Sequence, residues 1–260
     1  MKIILCVKQV PDTTDIKWTA NNTIQREGLE SILNPYDIYA LESALTLKKE
    51  YPEVFITTLT MGPKQAESVL RKTISTGADE GILLCDKKFA GADTYATAKT
   101  IAAAIKSKLS GYDLILCGQF AVDGDTAQTG PGIANFLDIP QVTYVKKILE
   151  YSDNSITVLR ELEDGEEKVR VKLPAVICIL KDEFEPARAT INGVITAQKA
   201  EIKTYGADDI GLDAEEAGLK GSPTYVSKAF RAAKKETDCK FCENIHELAE
   251  AINICGGVDE

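Results

Sequence analysis

The sequence of 260 residues lacks the features that would place it in a membrane, in the secretory pathway or on nucleic acid. No apolar run approaches the roughly 20 residues that are needed to span a bilayer. The apolar run at residues 3–7 is too short for a signal peptide and no cleavage site follows it, so a cytoplasmic location is expected. The net charge is −10, and because no basic stripe offsets it, nucleic acid is not an expected partner.

Histidine is nearly absent, and the seven cysteines do not form a recognisable metal site. Four cysteines fall in short apolar runs, where cysteine behaves as a small apolar side chain: Cys6, Cys85, Cys117 and Cys178. Cys239 and Cys242 form a single C-x-x-C pair, whereas zinc sites usually need a second pair. A site that adds His246 or Cys255 is an alternative, but reduced thiols are favoured and no metal is predicted.

The first 140 residues alternate short apolar runs with amphipathic stretches. Strands are predicted at 2–7, 54–60, 82–85 and 114–117, and helices at 36–50, 65–76, 94–109 and from 133. Asn34 is a good N-cap for the first helix, with Pro35 at its first position. This order predicts an α/β fold with a doubly wound, mainly parallel sheet, whose ligands bind beyond the carboxyl ends of the strands.

The second half of the chain changes to extended segments. Alternating runs at 156–162 and 168–173 flank Asp164-Gly165, which is a strong hairpin signal, and a buried strand follows at 175–180. These runs predict an antiparallel hairpin addition to the sheet.

The last 60 residues are rich in glycine and acidic side chains. This composition predicts an extended C-terminal arm with few regular elements, closed by a short helix near 244–254. We therefore divide the chain into an α/β domain, residues 1–200, and an arm, residues 201–260. An arm of this kind cannot bury its own apolar residues, so it is expected to pack on something else.

A glycine-rich loop after the run at 114–117 has the features of an anion site. A strand, a glycine-rich loop and a helix start direct backbone amides and the helix dipole toward a ligand, and glycines let a phosphate approach closely. The candidate residues are Asp123, Gly124, Asp125, Thr126, Ala127, Gln128, Thr129, Gly130 and Pro131. The loop is neither G-x-G-x-x-G nor a Walker loop, so an ordinary strand–helix connection is an equal alternative.

The helix after this loop could begin in two registers. Asp125 with Gln128 resembles a capping box, but it would put Pro131 inside the helix. Thr129 as the N-cap puts Pro131 in the first turn, where proline is tolerated, and this register is preferred.

Residues 181–200 combine mixed charges with a short apolar, turn-like segment at 191–195. One interpretation is a crossover loop whose apolar residues pack on the core, which the sequence alone slightly favours. The other is an exposed docking loop, because exposed apolar residues rimmed by charge suit partner binding.

Six short motifs follow one another along the chain. They are Val7-Lys8-Gln9-Val10-Pro11-Asp12, Asn34-Pro35-Tyr36-Asp37, Met61-Gly62-Pro63, the eight residues from Asp123 to Gly130, Leu173-Pro174-Ala175-Val176, and Glu185-Pro186-Ala187-Arg188-Ala189-Thr190. In this order, and over essentially the whole chain, they resemble the beta subunit of electron transfer flavoproteins. No single motif would suffice, but six in the right order are specific.

The resemblance implies a heterodimer with an alpha subunit, which holds an FAD in a mobile domain. The beta subunit binds a nucleotide in its own crevice, which is a structural AMP in respiratory members and a second FAD in bifurcating members of anaerobes. That FAD takes hydride from NADH and sends one electron toward the alpha flavin and the other toward ferredoxin. The positions that match the pocket are Cys6, Val7, Lys8, Asn34, Tyr36, Asp37, Met61, Gly62 and the loop from Asp123 to Pro131, and Tyr36 matches a ring near the alpha flavin.

Small residues in the loop favour FAD over AMP. Respiratory members tend to carry bulkier, more acidic residues there, whereas Gly124, Ala127 and Gly130 leave room for a diphosphate and a flavin. Residues 10–13 also resemble the bifurcating type. Since the flavin does the chemistry, no catalytic side chain is predicted. A non-redox adenine-nucleotide-binding module of the universal stress type is the alternative class.

The resemblance also implies a docking segment from Glu185 to Lys199, with Glu185, Arg188 and Ile191 as docking residues and Ile191 as the apolar anchor. The expected partner is a flavin-dependent dehydrogenase of the acyl-CoA or hydroxy-acid type. Lys8 has two interpretations: it could stabilise negative charge on a reduced flavin, or it could be an ordinary solvated lysine.

Overall fold

A computed structural model describes residues 1–12, 31–152, 154–181, 185–227 and 241–255. By their contacts the residues form two compact units, Met1–Ser227 and Lys228–Glu260. No helix in these described ranges is both long enough and apolar enough to cross a membrane.

Eleven strands are described in the larger unit. They are β1 (Lys2–Cys6), β2 (Gln9–Pro11), β3 (Ser31–Leu33), β4 (Phe55–Met61), β5 (Glu80–Leu84), β6 (Leu114–Gly118), β7 (Gln141–Ser152), β8 (Ser155–Leu162), β9 (Gly165–Lys172), β10 (Ala175–Ile179) and β11 (Ile202–Tyr205). Nine of them form one sheet in the order β11-β5-β4-β1-β6-β10-β7-β8-β9, and β2 pairs with β3. The pairs from β11 to β7 are parallel, while β7-β8-β9 are antiparallel, so the predicted mainly parallel sheet with a hairpin addition is confirmed.

Helices cover both faces of this sheet. The described helices are α1 (Pro35–Glu50), α2 (Glu67–Thr76), α3 (Thr94–Lys108), α4 (Thr129–Leu137), α5 (Ile191–Lys199) and, in the smaller unit, α6 (Ile245–Cys255). Side chains alternate between the faces of a strand, and the two buried clusters follow this alternation. Leu5 belongs to one cluster with α1 and α2, and Ile4 belongs to the other with α3 and α4.

The centre of the sheet contains a topological switch point. From β1 the sheet continues through β4 and β5 on one side and through β6 and β10 on the other. Cys6 at the end of β1 is in register with Cys117 near the end of β6. Open α/β sheets bind ligands outside the carboxyl ends of the strands at such a point, and the glycine-rich loop begins there.

The apolar segment after residue 190 differs from the prediction, because it is a helix and not a turn. α5 begins at Ile191, and the Thr190 hydroxyl accepts the N–H of Gly193 at 3.0 Å. This N-cap offsets the weak helix propensity of the β-branched residues that follow it.

The chain after residue 200 is also more regular than the composition indicated. β11 pairs in parallel with β5. The segment that follows β11 buries apolar side chains in the same cluster as α3, among them Ala207, Ile210 and Leu212. The compact unit that contains the sheet comprises Met1–Ser227.

Candidate functional site

The carboxyl ends of β1 and β6 are tied together by one buried carboxylate, that of Asp37 near the start of α1. Its Oδ2 accepts the backbone N–H of Lys8 at 2.7 Å, and its Oδ1 accepts the Asn34 amide at 3.0 Å. The backbone N–H of Gly118 also donates to it. Burial raises the pKa of Asp37 to about 7, and the hydrogen bonds from Asn34, Lys8 and Gly118 act in the opposite direction.

Asn34 extends this network into the glycine-rich loop. Its side-chain nitrogen also donates to the carbonyl of Phe120 at 2.9 Å, and its oxygen accepts the N–H of Val122 at 3.1 Å. Asn34 occupies the N-cap position of α1 as predicted, but its side chain makes no capping hydrogen bond. The reason is that the side-chain amide of Asn34 is already hydrogen-bonded to Asp37 and to the loop. We call Asn34 and Asp37 together the Asn34–Asp37 pair.

Gly118 allows the start of α1 to approach the end of β6. A Cβ atom at this position would lie 2.7 Å from the carbonyl carbon of Tyr36 and 2.8 Å from the nitrogen of Asp37. These are backbone atoms that cannot rotate away. Gly118 was not among the predicted site residues, although a glycine at the end of an apolar strand signals a close backbone approach.

The loop itself adopts a backbone suited to anions. The N–H groups of Gly124 and Asp125 both donate to the carbonyl of Ala121, at 3.0 and 2.9 Å. Asp125 and Ala127 have left-handed φ angles of 51° and 54°. Ala127 is followed by Gln128 in right-handed helical geometry, and such alternation turns successive amides toward one anion-binding concavity. Left-handed non-glycine residues cost free energy and cluster at functional sites.

The start of α4 corrects the predicted register. Gln128 is the N-cap and α4 begins at Thr129, so the N-cap predicted at Thr129 is wrong by one residue, and no side chain caps the helix. Gln128 does not form the capping box with Asp125, because its side-chain oxygen accepts the hydroxyl of Thr94 at 3.0 Å. Pro131 lies in the first turn, as predicted. The Thr94 contact joins the N-termini of α3 and α4, where helix dipoles favour an anion.

The two glycines of the loop, Gly124 and Gly130, have different surroundings. A Cβ atom at Gly130 would overlap the Cys178 sulfur, so this glycine is required for α4 to pack on β10. A Cβ atom at Gly124 would meet nothing within 4 Å. Gly124 therefore leaves space for a ligand, whereas Gly130 leaves space for the side chain of Cys178 in the core.

Charged and aromatic side chains lie at the mouth of the crevice. The Lys8 ammonium is 2.6 Å from Asp123 Oδ1, so this lysine links the end of β1 to the loop. The pair is partly exposed, and such pairs contribute at most about 1 kcal/mol. The Tyr36 ring packs against the Phe120 ring, with centroids 4.1 Å apart and planes at 41°. Phe120 was not among the predicted site residues, because its aromatic neighbour is 84 positions away in the sequence.

The remaining predicted pocket residues lie at the ends of strands. Cys6 and Val7 are buried, and Val7 donates its N–H to Leu59 on β4 at 2.9 Å. Met61 ends the neighbouring strand β4, and Gly62 follows it. The structure thus brings Lys8, Asn34, Tyr36 and Asp37 together with the loop, with these strand ends beside them.

The predicted docking residues lie elsewhere, on the α1 and α2 face. Ile191 is 82% exposed, and Val194 and Ile195 are also exposed, which contradicts the interpretation that this apolar segment packs in the core. Arg188 pairs with Glu185 at 3.0 Å. Their role in docking stays a prediction.

Several predicted features lie outside the described residues, namely Thr13, residues 182–184 and Cys239. Cys242 is a free thiol. Among the residues that the structure describes, no group of three His, Cys, Asp or Glu side chains could hold a metal ion.

The fold and the crevice define a doubly wound α/β protein whose switch-point loop suits an anionic ligand. The pattern of the electron transfer flavoprotein domain matches residues 21–210. The chain is 44% identical to the electron transfer flavoprotein subunit beta of Thermoanaerobacterium thermosaccharolyticum, over 96% of this chain and 95% of the relative. The chain therefore belongs to the electron transfer flavoprotein family, as a beta subunit.

Two further relatives have different names. The caffeyl-CoA reductase-Etf complex subunit CarD of Acetobacterium woodii is 44% identical, over 90% of this chain and 89% of the relative. The protein FixA of Azorhizobium caulinodans is 41% identical, over 94% of this chain and 90% of the relative. The chain is thus similar, over most of its length and most of theirs, to relatives that carry different names.

Proposed function

We propose that this beta subunit binds FAD in the switch-point crevice and, with an alpha subunit, passes electrons between NADH, a flavin-dependent dehydrogenase and ferredoxin. The observation that carries this proposal is the open loop. Gly124 has free space around it, and the left-handed Ala127 turns its neighbours' amides into an anion-binding concavity beside two helix N-termini. This arrangement suits a diphosphate.

The residues present fit such a group. We propose that the loop from Asp123 to Pro131 holds the phosphates, chiefly through backbone amides. Lys8 supplies the cation at the mouth, and the Asn34–Asp37 pair holds the loop in place. Cys6, Val7, Tyr36, Met61 and Gly62 would complete the walls. AMP is the alternative ligand, because the same amides can bind one phosphate.

The chemistry divides between the cofactor and the protein. When bound, FAD supplies hydride acceptance and one-electron transfer, which no amino-acid side chain provides. The chain supplies orientation and electrostatics: Lys8 offsets negative charge, and the Tyr36–Phe120 ring pair shapes the mouth. No acid or base side chain is required, so we assign no catalytic residue.

Exposed apolar residues indicate where partners bind. We propose that Ile191 anchors a dehydrogenase of the acyl-CoA or hydroxy-acid type, and the CarD relative is named as part of a caffeyl-CoA reductase complex. In the arm, α6 exposes Ile245, Leu248 and Ile252 at helical spacing, which suits packing on the alpha subunit. We place the complex in the cytoplasm.

Anaerobic mixing of the heterodimer with NADH tests this function. A hydride donor must reach the flavin of the beta site directly, so we expect NADH to bleach one flavin equivalent per heterodimer by two electrons, without any dehydrogenase. The same heterodimer without NADH is the control. If NADH does not reduce the second flavin, the protein is of the respiratory type and the proposed function is wrong.

A further inference from the structure

We propose that Asp37 is a positioning residue whose proton controls how tightly the crevice holds its nucleotide, which rests on the nucleotide binding proposed above. One buried carboxylate joins the backbone after β1, at Lys8, to the end of β6, at Gly118. Through Asn34 it also reaches the loop, at Phe120 and Val122. The crevice walls on both sides of the switch point therefore share one anchor.

The anchor works only when the carboxyl group is ionised. A carboxylate is purely an acceptor, and here its two oxygens accept N–H groups from Lys8, Gly118 and Asn34. A proton on either oxygen would face one of these N–H groups, so at least one hydrogen bond would be lost. A buried donor that loses its partner is costly, and the loop would shift to satisfy it. Protonation thus releases one wall of the crevice.

The surroundings of Asp37 place its proton near neutral pH. Burial raises its pKa to about 7, and the nearby Lys8 ammonium, itself paired with Asp123, lowers it. Tyr36 adjoins it on α1, and the thiol of Cys117 on β6 interacts with it electrostatically, although Cys117 belongs to the buried cluster on the α3 and α4 face. Cys178, on β10, lies beside Cys117. Its hydrogen bond with Cys117 and its own burial raise the pKa of the Cys178 thiol, so this thiol stays neutral.

The sign of the pH dependence follows from this argument. If the nucleotide binds the ionised form, a proton with a pKa of about 7 must leave, and affinity rises about tenfold between pH 6 and pH 8. Direct repulsion between the Asp37 carboxylate and the phosphates would give the opposite sign. The FAD pyrophosphate keeps its charge over this range, so the dependence reports on the protein.

The test is a titration of the full-length chain with FAD at constant ionic strength between pH 6 and pH 8.5, followed by flavin fluorescence. We expect the tenfold rise in the wild type and a flat, weaker affinity in Asp37→Asn. Asn34→Ala keeps the carboxyl group but removes a hydrogen bond that lowers its pKa, so the midpoint should move to higher pH.

Each outcome decides between explanations. A flat or falling affinity in the wild type, or a rise that persists in Asp37→Asn, overturns the role of Asp37. If Asp37→Asn does not fold, the variant Asn34→Ala decides instead. A pH midpoint of its FAD affinity equal to that of the wild type overturns the role of Asp37. Failure to bind FAD at every pH contradicts the proposed nucleotide site itself.

Discussion

Gly118→Ala is expected to lower the free energy of unfolding by about 3 kcal/mol, the upper end of the cost of overpacking. The added methyl group would lie 2.7 Å from the carbonyl carbon of Tyr36 and 2.8 Å from the nitrogen of Asp37. Relief requires the start of α1 to move away from β6, which breaks the hydrogen bond from Gly118 to Asp37. For a domain of this size the melting temperature should fall by roughly 6–12 °C, measurable by calorimetry.

Gly124→Ala is the matched control in the same loop region. Its added methyl group meets no atom within 4 Å, so stability should change by less than about 0.5 kcal/mol. Equal melting temperatures for the two variants would show that the contact between α1 and the end of β6 is not as close as described.

Ile191→Asp is expected to slow electron transfer to the dehydrogenase at least tenfold, while nucleotide content and melting temperature stay unchanged. Apolar anchors buried in an interface can contribute about 2 kcal/mol or more, and a carboxylate would have to be desolvated in the same place. Because Ile191 is 82% exposed in the chain, its replacement removes little packing from the fold. Steady-state reduction of the dehydrogenase against its concentration gives the effect.

Leu162→Asp provides the control for this substitution. Leu162 ends β8 in the hairpin and is also an exposed apolar side chain, at 43%. An equal loss of rate in both variants would mean that added negative charge, and not a docking contact, slows the reaction. An unchanged rate in Ile191→Asp would remove Ile191 from the interface.

The regular elements could be predicted because their signals are local. Pro35 marks the start of α1, the short apolar runs mark the inner strands, and Asp164-Gly165 marks the hairpin of β8 and β9. Each signal depends on residues that are neighbours in the chain, so no knowledge of distant contacts was needed.

The predictions that differed concern elements decided by distant contacts. β11 is a strand because β5 offers it an edge, which its own four residues do not reveal. Gln128 caps no amide because Thr94, 34 positions earlier, engages its side chain. Tertiary contacts override local propensity in these places.

The candidate site was predicted only in part, for a related reason. Family resemblance pointed to Asn34 and Asp37, and the local pattern gave Asn34 only as the N-cap of α1. Neither gave the buried hydrogen bonds of these residues, because the bond from Asn34 to Phe120 spans 86 positions. Gly118 and Thr94 were not among the predicted site residues. The packing reason for Gly130 lies in the side chain of Cys178 and could not be read from the loop.

Binding of FAD in the crevice is tested most directly by the count of flavin and adenylate in the purified heterodimer. Coexpression with the alpha subunit, followed by acid release and chromatography of the nucleotides, gives both numbers from one sample. We expect two FAD per heterodimer and no AMP. One FAD together with one AMP would contradict binding of FAD in the crevice.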